Sequence, residues 1–363
     1  MPQKKTLAFR QRLLFESFRL FRKSEARAHP LKYLFWECTL RCNLSCLHCG
    51  SDCHTSSSIE DMPAEDFLNE MEHLAKIYNP QEIMVVITGG EPLLRKDLPD
   101  IGMKLRKLGY RWGIVTNGLA LTPTVFNALI SSGIGAITLS IDGLEKDHNW
   151  QRNNQVAYEK AMKALEQICS YPRIEADVVT CVNQRNINDL DTIYNKLSKM
   201  GLKSWRLFTI TPIGRAKDFP ELELSKEQFN SMIEFIVKKK DAKSEMNVNF
   251  SCESYLGNKD NKARDGFFFC RAGIHIASIL ADGSVSACPN IDHQFIQGNI
   301  YENHLDEIWE SRFEAFRDRS WTKKGQCSTC KEYKYCEGSG MHWWHGADPE
   351  LLKCHKNQLE TKS

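Results

Sequence analysis

Short apolar segments that alternate with helical patterns are the feature that most constrains the fold of this chain. Six such segments are rich in aliphatic and β-branched residues, as strands buried in a parallel sheet are. Six consecutive β/α units predict an α/β fold, a parallel sheet curled into a partial (β/α)6 barrel. The predicted strands are Lys32–Cys38, Ile83–Thr88, Arg111–Thr116, Ala136–Ile141, Ile174–Cys181 and Ser204–Ile210. The predicted helices cover residues 63–79, 97–108, 123–132, 154–170 and 188–199, with Asp61 placed to cap the first.

Changes of pattern divide the chain into four predicted regions: residues 1–30, 31–224, 225–265 and 266–363. The second region is the barrel. The third contains a bridging helix near residues 225–240 and a polar surface linker, Gly257–Asp265. The fourth has short strands at Ile274–Leu280 and Ser284–Ala287, a helix near residues 305–318 and a cysteine-rich tail. So little regular structure predicts a separate, loop-rich domain that bound metal holds together.

Residues 1–30 form a predicted basic helix that ends before Pro30. Leu14, Phe18 and Phe21 share one of its faces at i, i+4 and i+7 spacing. Such a face either packs against the main domain or binds a membrane surface or a partner. The sequence leaves both interpretations open, and packing is the commoner role of an apolar stripe.

Composition excludes several classes of protein. The chain has 48 Lys and Arg against 46 Asp and Glu, so a net charge of +2 gives no basic excess for binding nucleic acid. Its longest aliphatic run, Ile83–Ile87, is far shorter than the about 20 residues of a transmembrane helix. Because no secretory signal is evident, we expect a cytoplasmic protein whose 14 cysteines stay reduced. Five of them lie within residues 38–53 and six within residues 270–354, which predicts two metal-bearing regions.

The first cysteine-rich region contains a motif that directly follows the first predicted strand. Cys42, Cys46 and Cys49 have x3 and x2 spacing, and barrels place their active-site loops at such strand ends. Three thiolates can hold three irons of a 4Fe–4S cluster and leave the fourth iron open. The structural alternative is a zinc knuckle whose fourth ligand is missing or is Cys38 or Cys53.

This motif, with His48 before its last cysteine, resembles that of the radical S-adenosylmethionine (radical SAM) family. Further marks of the family follow in order at later strand ends. They are Gly89-Gly90-Glu91-Pro92, Thr116-Asn117-Gly118, Ser140-Ile141-Asp142-Gly143, Asp147-His148 with Arg152, Thr180 with Val182 and Asn183, and Pro212-x-Gly214-Arg215-Ala216. The resemblance spans residues 31–220.

The resemblance implies that a 4Fe–4S cluster binds SAM and cleaves it to methionine and a 5′-deoxyadenosyl radical, which abstracts a hydrogen atom from the substrate. It implies SAM contacts by Gly89, Gly90, Glu91, Asn117, Ser140, Arg152, Val182 and Asn183. The glycines would let the backbone approach the ligand closely and, with Glu91, receive the methionine amino group. Ser140 would bind the ribose or the carboxylate, Arg152 the carboxylate, and Val182 and Asn183 would lie near the adenine. The structural alternatives are strand-end capping by Ser140 and Asn183 and a surface salt bridge of Arg152.

The second cysteine-rich region resembles the SPASM domain, a C-terminal extension of peptide-modifying radical SAM enzymes. The resemblance implies an auxiliary 4Fe–4S cluster on Cys327, Cys330, Cys336 and Cys354. A second auxiliary cluster would use Cys270, Cys288 and a cysteine where this chain has Gly340. That second site is either absent, completed by His342 or His345, or an open iron site that binds substrate. Zinc is the structural alternative for the four-cysteine set.

Together these resemblances imply a radical SAM maturase that crosslinks, oxidises or epimerises a peptide or small protein encoded nearby. They also imply an electron donor such as flavodoxin or ferredoxin. The alternatives are an enzyme that modifies a tetrapyrrole of the haem pathway and a non-catalytic iron–sulfur protein. The segments Glu37–Arg41 and Gln297–Ile300 are similar to a Bacteroidetes-type subgroup associated with small lipoproteins. No side chain is assigned as a catalytic acid or base.

Overall fold

A single large sheet organises the part of the chain that the computed structural model describes, residues 9–242, 244–251 and 253–359. Its strands are β1 (Tyr33–Glu37), β2 (Met84–Thr88), β3 (Arg111–Thr116), β4 (Ala136–Ser140), β5 (Glu175–Cys181), β6 (Ser204–Phe208), β7 (Asn247–Phe250), β8 (Ile276–Ile279), β9 (Ser284–Ser286) and β10 (Gly298–Asn299). Their order is β10-β9-β8-β1-β2-β3-β4-β5-β6-β7, and all neighbours from β8 to β7 are parallel. A separate ribbon pairs β11 (Trp344–His345) with β12 (Glu350–Leu351).

The six predicted strands are confirmed, with ends that differ by at most two residues. On β1, the ring of Trp36 stacks on that of Phe67, which lies in the helix that follows β1, with ring centroids 4.0 Å apart. The neighbouring Glu37 lies on the opposite face of the sheet. The parallel sheet extends beyond the prediction at both edges, because β7 pairs with β6 and β8 pairs with β1. Through β8 the C-terminal region shares the sheet of the barrel, although the sequence predicts a separate domain from residue 266.

Helices connect the strands and cover the outer face of the sheet. They are α1 (Phe9–Ala28), α2 (Ala64–Leu74), α3 (Leu98–Lys107), α4 (Pro123–Ser131), α5 (Glu145–Arg152), α6 (Ala157–Cys169), α7 (Leu190–Lys199), α8 (Lys226–Asp241), α9 (Asp260–Ala263), α10 (Leu305–Arg312), α11 (Glu314–Arg317), α12 (Tyr333–Cys336) and α13 (His355–Leu359). Side-chain hydrogen bonds cap the N-termini of two of these helices: Thr122 caps α4, and Ser225 forms a capping box with Gln228 in α8. Within the described ranges, no helix has the length and apolar character to cross a membrane.

Two details differ from the prediction. Asp61 does not cap α2, because Pro63 occupies the N-cap position and the Asp61 carboxylate pairs with Arg41 instead.

Helix α5 is absent from the predicted elements, since its sequence has no apolar periodicity: His148 and Arg152 are among its buried residues. Burial of polar side chains therefore hides this helix from a pattern search.

The segment Gly257–Asp265 is not the surface linker that its polar composition predicts. Asp260 is fully buried within it. The Asp260 carboxylate accepts hydrogen bonds from the backbone N–H groups of Leu256 at 3.1 Å and Phe268 at 2.5 Å, and it faces Arg264 at 3.5 Å. A buried carboxylate that satisfies loop amides accounts for the polar sequence.

Helix α1 packs on the C-terminal region. The first eight residues of the helix predicted over residues 1–30 lie outside the described ranges. Phe15 contacts the rings of Phe267 and Tyr335, with centroids 4.7 and 5.2 Å apart. The packed face is displaced from the predicted one: Phe18 of that face contacts Phe267 with ring centroids 5.2 Å apart, but Leu14 and Phe21 are 47% and 48% exposed. The packing interpretation is therefore confirmed for the inner side of α1, and its outer side remains free for another role.

Candidate metal centres

The three-cysteine loop directly follows β1, at the carboxyl end of the parallel strands. Cys42 and Cys46 are buried and Cys49 is half-buried. Burial raises the pKa of Cys42 to about 11, and the nearby thiols of Cys46 and Cys49 add to the rise. One thiol raises the pKa of another only when the two lie close together. The structure therefore gathers the three predicted ligands at one place.

Of the two cysteines considered as a fourth ligand, Cys53 lies beside this trio and Cys38 does not. Contact with the Cys53 thiol lowers the pKa of Cys49 to about 6, and Arg215 acts in the same direction. Cys38 lies in the main hydrophobic core, where burial raises the pKa of its thiol. The structure therefore removes Cys38 from the alternatives.

Two buried N–H donors approach the cysteine sulfurs. Arg152 Nη1 lies 3.7 Å from Cys46 Sγ, and Asn117 Nδ2 lies 3.8 Å from Cys42 Sγ. The Asn117 amide is fixed by a second bond, to Asn43 Oδ1 at 2.8 Å. Donors of this kind favour the thiolate form, which a metal ligand must adopt.

Arg152 is held by a fully buried carboxylate rather than by a surface salt bridge. Its Nη2 lies 2.6 Å from Asp142 Oδ2. Burial opposes the ionisation of Asp142, yet Arg152 keeps the pKa of this carboxyl below its usual value. Asp142 Oδ1 also accepts from the Cys181 N–H at 2.8 Å, and the Asp142 N–H donates to His148 Nδ1 at 3.0 Å. Asp142 is not among the predicted site residues, although it stands in the Ser140–Gly143 motif that could have indicated it.

Gly89 and Gly90 accommodate a neighbouring segment of the protein. The Gly90 N–H donates to the Thr39 carbonyl at 2.8 Å, and the Glu91 N–H donates to the Arg41 carbonyl at 2.9 Å. Gly89 has a φ of +132°, and a Cβ there would collide with the Thr39 carbonyl oxygen. A Cβ at Gly90 would collide with the Arg41 carbonyl oxygen. The backbone leading to the three-cysteine loop is thus one close approach that these glycines permit, and their contact with SAM stays a prediction.

The Glu91 carboxylate is occupied within the protein. Its Oε1 accepts from the Thr116 hydroxyl at 2.7 Å and from the Leu93 N–H at 3.1 Å, and its Oε2 accepts from the Asn117 N–H at 2.8 Å. Burial raises the pKa of Glu91, and these donors oppose the rise. Glu91 therefore joins two strand-end loops, and its contact with the SAM amino group stays a prediction.

The remaining predicted SAM contacts lie at the ends of β4 and β5. Ser140 ends β4, and Val182 and Asn183 follow β5 and are buried. The Asn183 amide donates to Gln151 Oε1 at 2.6 Å, and its Oδ1 accepts from the Arg185 N–H at 2.9 Å. Asn183 thus braces the strand end, as its structural alternative expects. All of the predicted SAM contacts lie at one end of the sheet, and their binding of SAM stays a prediction.

The loop after β6 braces the three-cysteine loop from a second side. Gly214 has a φ of +54°, and a Cβ there would collide with the Cys49 carbonyl oxygen. The Arg215 N–H donates to the Cys49 carbonyl at 3.1 Å, and its Nε donates to the Cys46 carbonyl at 2.8 Å. Arg215 is therefore a positioning residue without a predicted role, and the Pro212–Ala216 motif is the signal that points to it.

Four cysteines from the C-terminal region form the second thiol set. Burial raises the pKa of Cys327 to about 11, with further increases from Cys354 and Cys330. Burial also raises the pKa of Cys336, and Cys354 and Cys327 add to it. Cys327 therefore lies within electrostatic reach of the other three predicted ligands, and four thiolates suit one 4Fe–4S cluster or one zinc ion.

The place of the missing family cysteine is filled. A Cβ at Gly340 would collide with the Glu253 carbonyl oxygen and would lie 2.6 Å from His342 Cε1. His345 is engaged through both ring nitrogens, because its Nδ1 lies 3.0 Å from Asp292 Oδ2 and its Nε2 lies 2.9 Å from the His342 carbonyl oxygen. Hence neither position 340 nor His345 supplies a free ligand.

Two sequence profiles match the chain. The profile of the Radical SAM superfamily matches residues 36–197, and that of SPASM, an iron-sulfur cluster-binding domain, matches residues 270–331. The chain contains a radical SAM domain and a SPASM domain. These domains imply iron–sulfur clusters and SAM as cofactors, and the thiols gathered in both regions have the donor chemistry to hold such clusters. The proposed lipoprotein-associated subgroup stays a prediction.

Two relatives of this chain have names that indicate different activities. An AdoMet-dependent heme synthase of Methanosarcina barkeri is 24% identical and aligns with 86% of this chain and 92% of its own. Mycofactocin maturase MftC of Mycolicibacterium smegmatis is 28% identical and aligns with 85% of this chain and 77% of its own. The relatives thus support a radical SAM enzyme without selecting its substrate.

Solved structures share the fold. SuiB of Streptococcus suis bound to S-adenosylmethionine has a TM-score of 0.67 at 16% identity, covering 96% of this chain and 84% of that one. Native anSMEcpe with bound AdoMet has a TM-score of 0.70 at 18% identity, covering 91% and 95% respectively. These two likenesses show a shared fold over most of the chain.

Proposed function

We propose that this radical SAM enzyme modifies a side chain of a peptide or small protein. The observation that carries the proposal is the second thiol set, Cys327, Cys330, Cys336 and Cys354, outside the SAM motifs of the barrel. Cleavage of SAM needs only the three-cysteine centre, so a second centre serves substrate docking or electron uptake. A fold shared with SuiB bound to the precursor peptide SuiA, at a TM-score of 0.67, supports a peptide substrate.

The residues around the first centre would position the cofactors. When bound, a 4Fe–4S cluster supplies the electron that splits the sulfonium of SAM. Arg152 and Asn117 present N–H groups to the cysteine sulfurs, and Asp142 fixes Arg152. Arg215 braces the loop that carries the cysteines. A reduced flavodoxin or ferredoxin is the proposed electron donor.

We further propose a single auxiliary cluster. Cys270 and Cys288 pack at the edge of the main core. The cysteine that would join them is replaced by Gly340, whose side-chain space His342 and a backbone carbonyl occupy. Two thiolates are too few to hold a 4Fe–4S cluster, so these two cysteines are proposed to hold no cluster.

The relatives favour one second candidate, a tetrapyrrole substrate. The heme synthase aligns over 92% of its own length, which is more than the maturase does. An enzyme of this kind would modify a tetrapyrrole in place of a peptide.

A direct competition between the two substrates tests the proposal. The reconstituted protein, with SAM and dithionite, is incubated anaerobically with short peptides encoded beside its gene or with Fe-coproporphyrin III. Mass spectrometry follows the substrates, and chromatography follows 5′-deoxyadenosine. A mass change in a peptide that depends on SAM supports the proposal. Conversion of the porphyrin, with every peptide unchanged, overturns it in favour of the second candidate.

A further inference from the structure

Helix α1 carries an apolar surface on the side that faces away from the protein. Leu13, Leu14 and Leu20 are 54%, 47% and 60% exposed, and Phe21 is 48% exposed. Leu13 and Leu20, like Leu14 and Phe21, stand seven positions apart, so the four side chains form one outer stripe over two turns. Phe21 borders the side that packs on the C-terminal region, because its ring centroid lies 6.5 Å from that of Phe269, and the three leucines are left to solvent.

The exposed charges of α1, from residue 11 onward, are all positive. Arg12, Lys23 and Arg27 are exposed, and none of them forms an ion pair with another residue of the described ranges. The two acidic residues are turned to partners elsewhere: Glu16 pairs with a lysine of the C-terminal region, and Glu25 pairs with a histidine beside β8. The outer side of the helix therefore combines apolar and cationic groups with no exposed acid to offset them.

We propose that the outer stripe docks this enzyme on an anionic lipid surface. Helices that lie in a membrane interface have this composition. Their apolar side enters the headgroup boundary, and their lysine and arginine side chains attract anionic lipid. The stripe runs along one exposed helix and is therefore convex. A convex surface fits a flat lipid layer better than it fits a peptide, which binds in a groove.

A second copy of the chain is a poorer occupant of the same stripe. A two-fold contact through it would bring Arg12, Lys23 and Arg27 of one copy close to the same three residues of the other. Like charges placed together weaken such an interface. Anionic lipid neutralises these charges instead, so charge complementarity selects the lipid.

Docking through α1 has a consequence for the second thiol set. Arg22, on the inner side of the same helix, donates to the Tyr335 carbonyl at 2.7 Å, next to Cys336. A docked molecule therefore holds its SPASM region beside the lipid surface. This inference does not depend on the chemistry of the substrate, because lipid binding needs no SAM cleavage.

Vesicle flotation of the full-length, reconstituted enzyme tests the inference. The probes are vesicles of phosphatidylcholine with phosphatidylglycerol and vesicles of phosphatidylcholine alone. Leu13→Ser with Leu20→Ser removes part of the stripe, and Ile77→Ser, at a side chain 49% exposed on another surface, is the matched control. Lys23→Glu with Arg27→Glu reverses the flanking charge, and Lys160→Glu is its control on the exposed side of α6.

The wild type should float with the phosphatidylglycerol vesicles and not with phosphatidylcholine, and added salt should release it. Both α1 double variants should partition less by on the order of tenfold, with controls unchanged. Absence of wild-type binding overturns the inference. If a variant of α1 then also loses peptide modification, the stripe docks the peptide instead. A dimer that Leu13→Ser with Leu20→Ser dissolves overturns the inference as well.

Discussion

Arg22 in the first helix donates a hydrogen bond from Nη1 to the backbone carbonyl of Tyr335, 313 residues later, at 2.7 Å. A second bond joins Arg22 Nη2 to the Lys334 carbonyl at 3.3 Å, and Glu337 lies 3.4 Å from the same nitrogen. Burial lowers the pKa of Arg22, and Glu337 opposes this effect. The helix thereby secures the turn that carries Cys336, a ligand of the proposed auxiliary cluster.

Arg22→Ala should destabilise the C-terminal region and release iron from the second thiol set. Removing the guanidinium leaves two carbonyl groups without their donor, a cost of about 2–3 kcal/mol. Arg27→Ala, at an exposed position of the same helix, is the control and should leave both properties unchanged. Thermal unfolding and iron content check the result, and wild-type iron in a folded Arg22→Ala protein would show that the turn needs no support from α1.

The anaerobically reconstituted protein should bind about eight irons, four at each thiol set. About twelve irons would reveal a cluster at Cys270 and Cys288, and four irons with one zinc would reveal a structural zinc site.

Cys46→Ala should abolish the formation of 5′-deoxyadenosine, because the first centre loses a thiolate. Cys53→Ser is the matched variant: it changes the contact with Cys49 but leaves the three predicted ligands in place, so the cluster and SAM cleavage should persist. Loss of the first cluster in Cys53→Ser would make Cys53 a ligand.

Asp142→Asn should reduce both stability and SAM cleavage. The substitution leaves the buried Arg152 guanidinium without its counter-charge, which costs about 3–5 kcal/mol. Asp147→Asn, in the half-buried pair with Arg185, is the control and should cost less than about 1 kcal/mol. Urea unfolding and the rate of 5′-deoxyadenosine formation measure the two effects. Equal stability of the two variants would mean that Arg152 finds another partner.

Glu253 makes the stability of the protein dependent on pH. Burial raises the pKa of Glu253 from 4.5 to about 8, although the Thr209 N–H donates to its carboxylate at 2.7 Å. The unfolded chain ionises at a lower pH than the folded one, so this contribution to stability is complete below pH 4.5 and is lost as the pH rises to 8. Glu253→Gln should therefore flatten the decline of the melting temperature over this range, whereas the exposed control Glu245→Gln should not. A decline that both variants retain would assign it to other groups.

Much of the fold and the thiol sites could be predicted because period and spacing are local properties. The strands before Cys42 and Glu91 have continuous apolar runs, and the cysteine spacings stand in the sequence itself. Contacts between distant segments could not be predicted in this way. Gly89 lies against the carbonyl of Thr39, and the role of Asp142 depends on a helix whose buried face is polar. Such contacts need the packing of the whole barrel.

Cys330→Ala separates the two thiol sets. The predicted SAM contacts all lie at the strand ends of the barrel, so 5′-deoxyadenosine should still form. Formation of the modified peptide should stop, because Cys330 belongs to the proposed site of substrate docking or electron uptake. Since a loop-rich region held by metal can unfold when a ligand is lost, circular dichroism and a thermal melt must first show a folded variant. Ser328→Ala, two residues away and exposed, is the control and should retain full turnover. A folded Cys330→Ala enzyme that modifies the peptide at the wild-type rate would reduce the second set to a structural role.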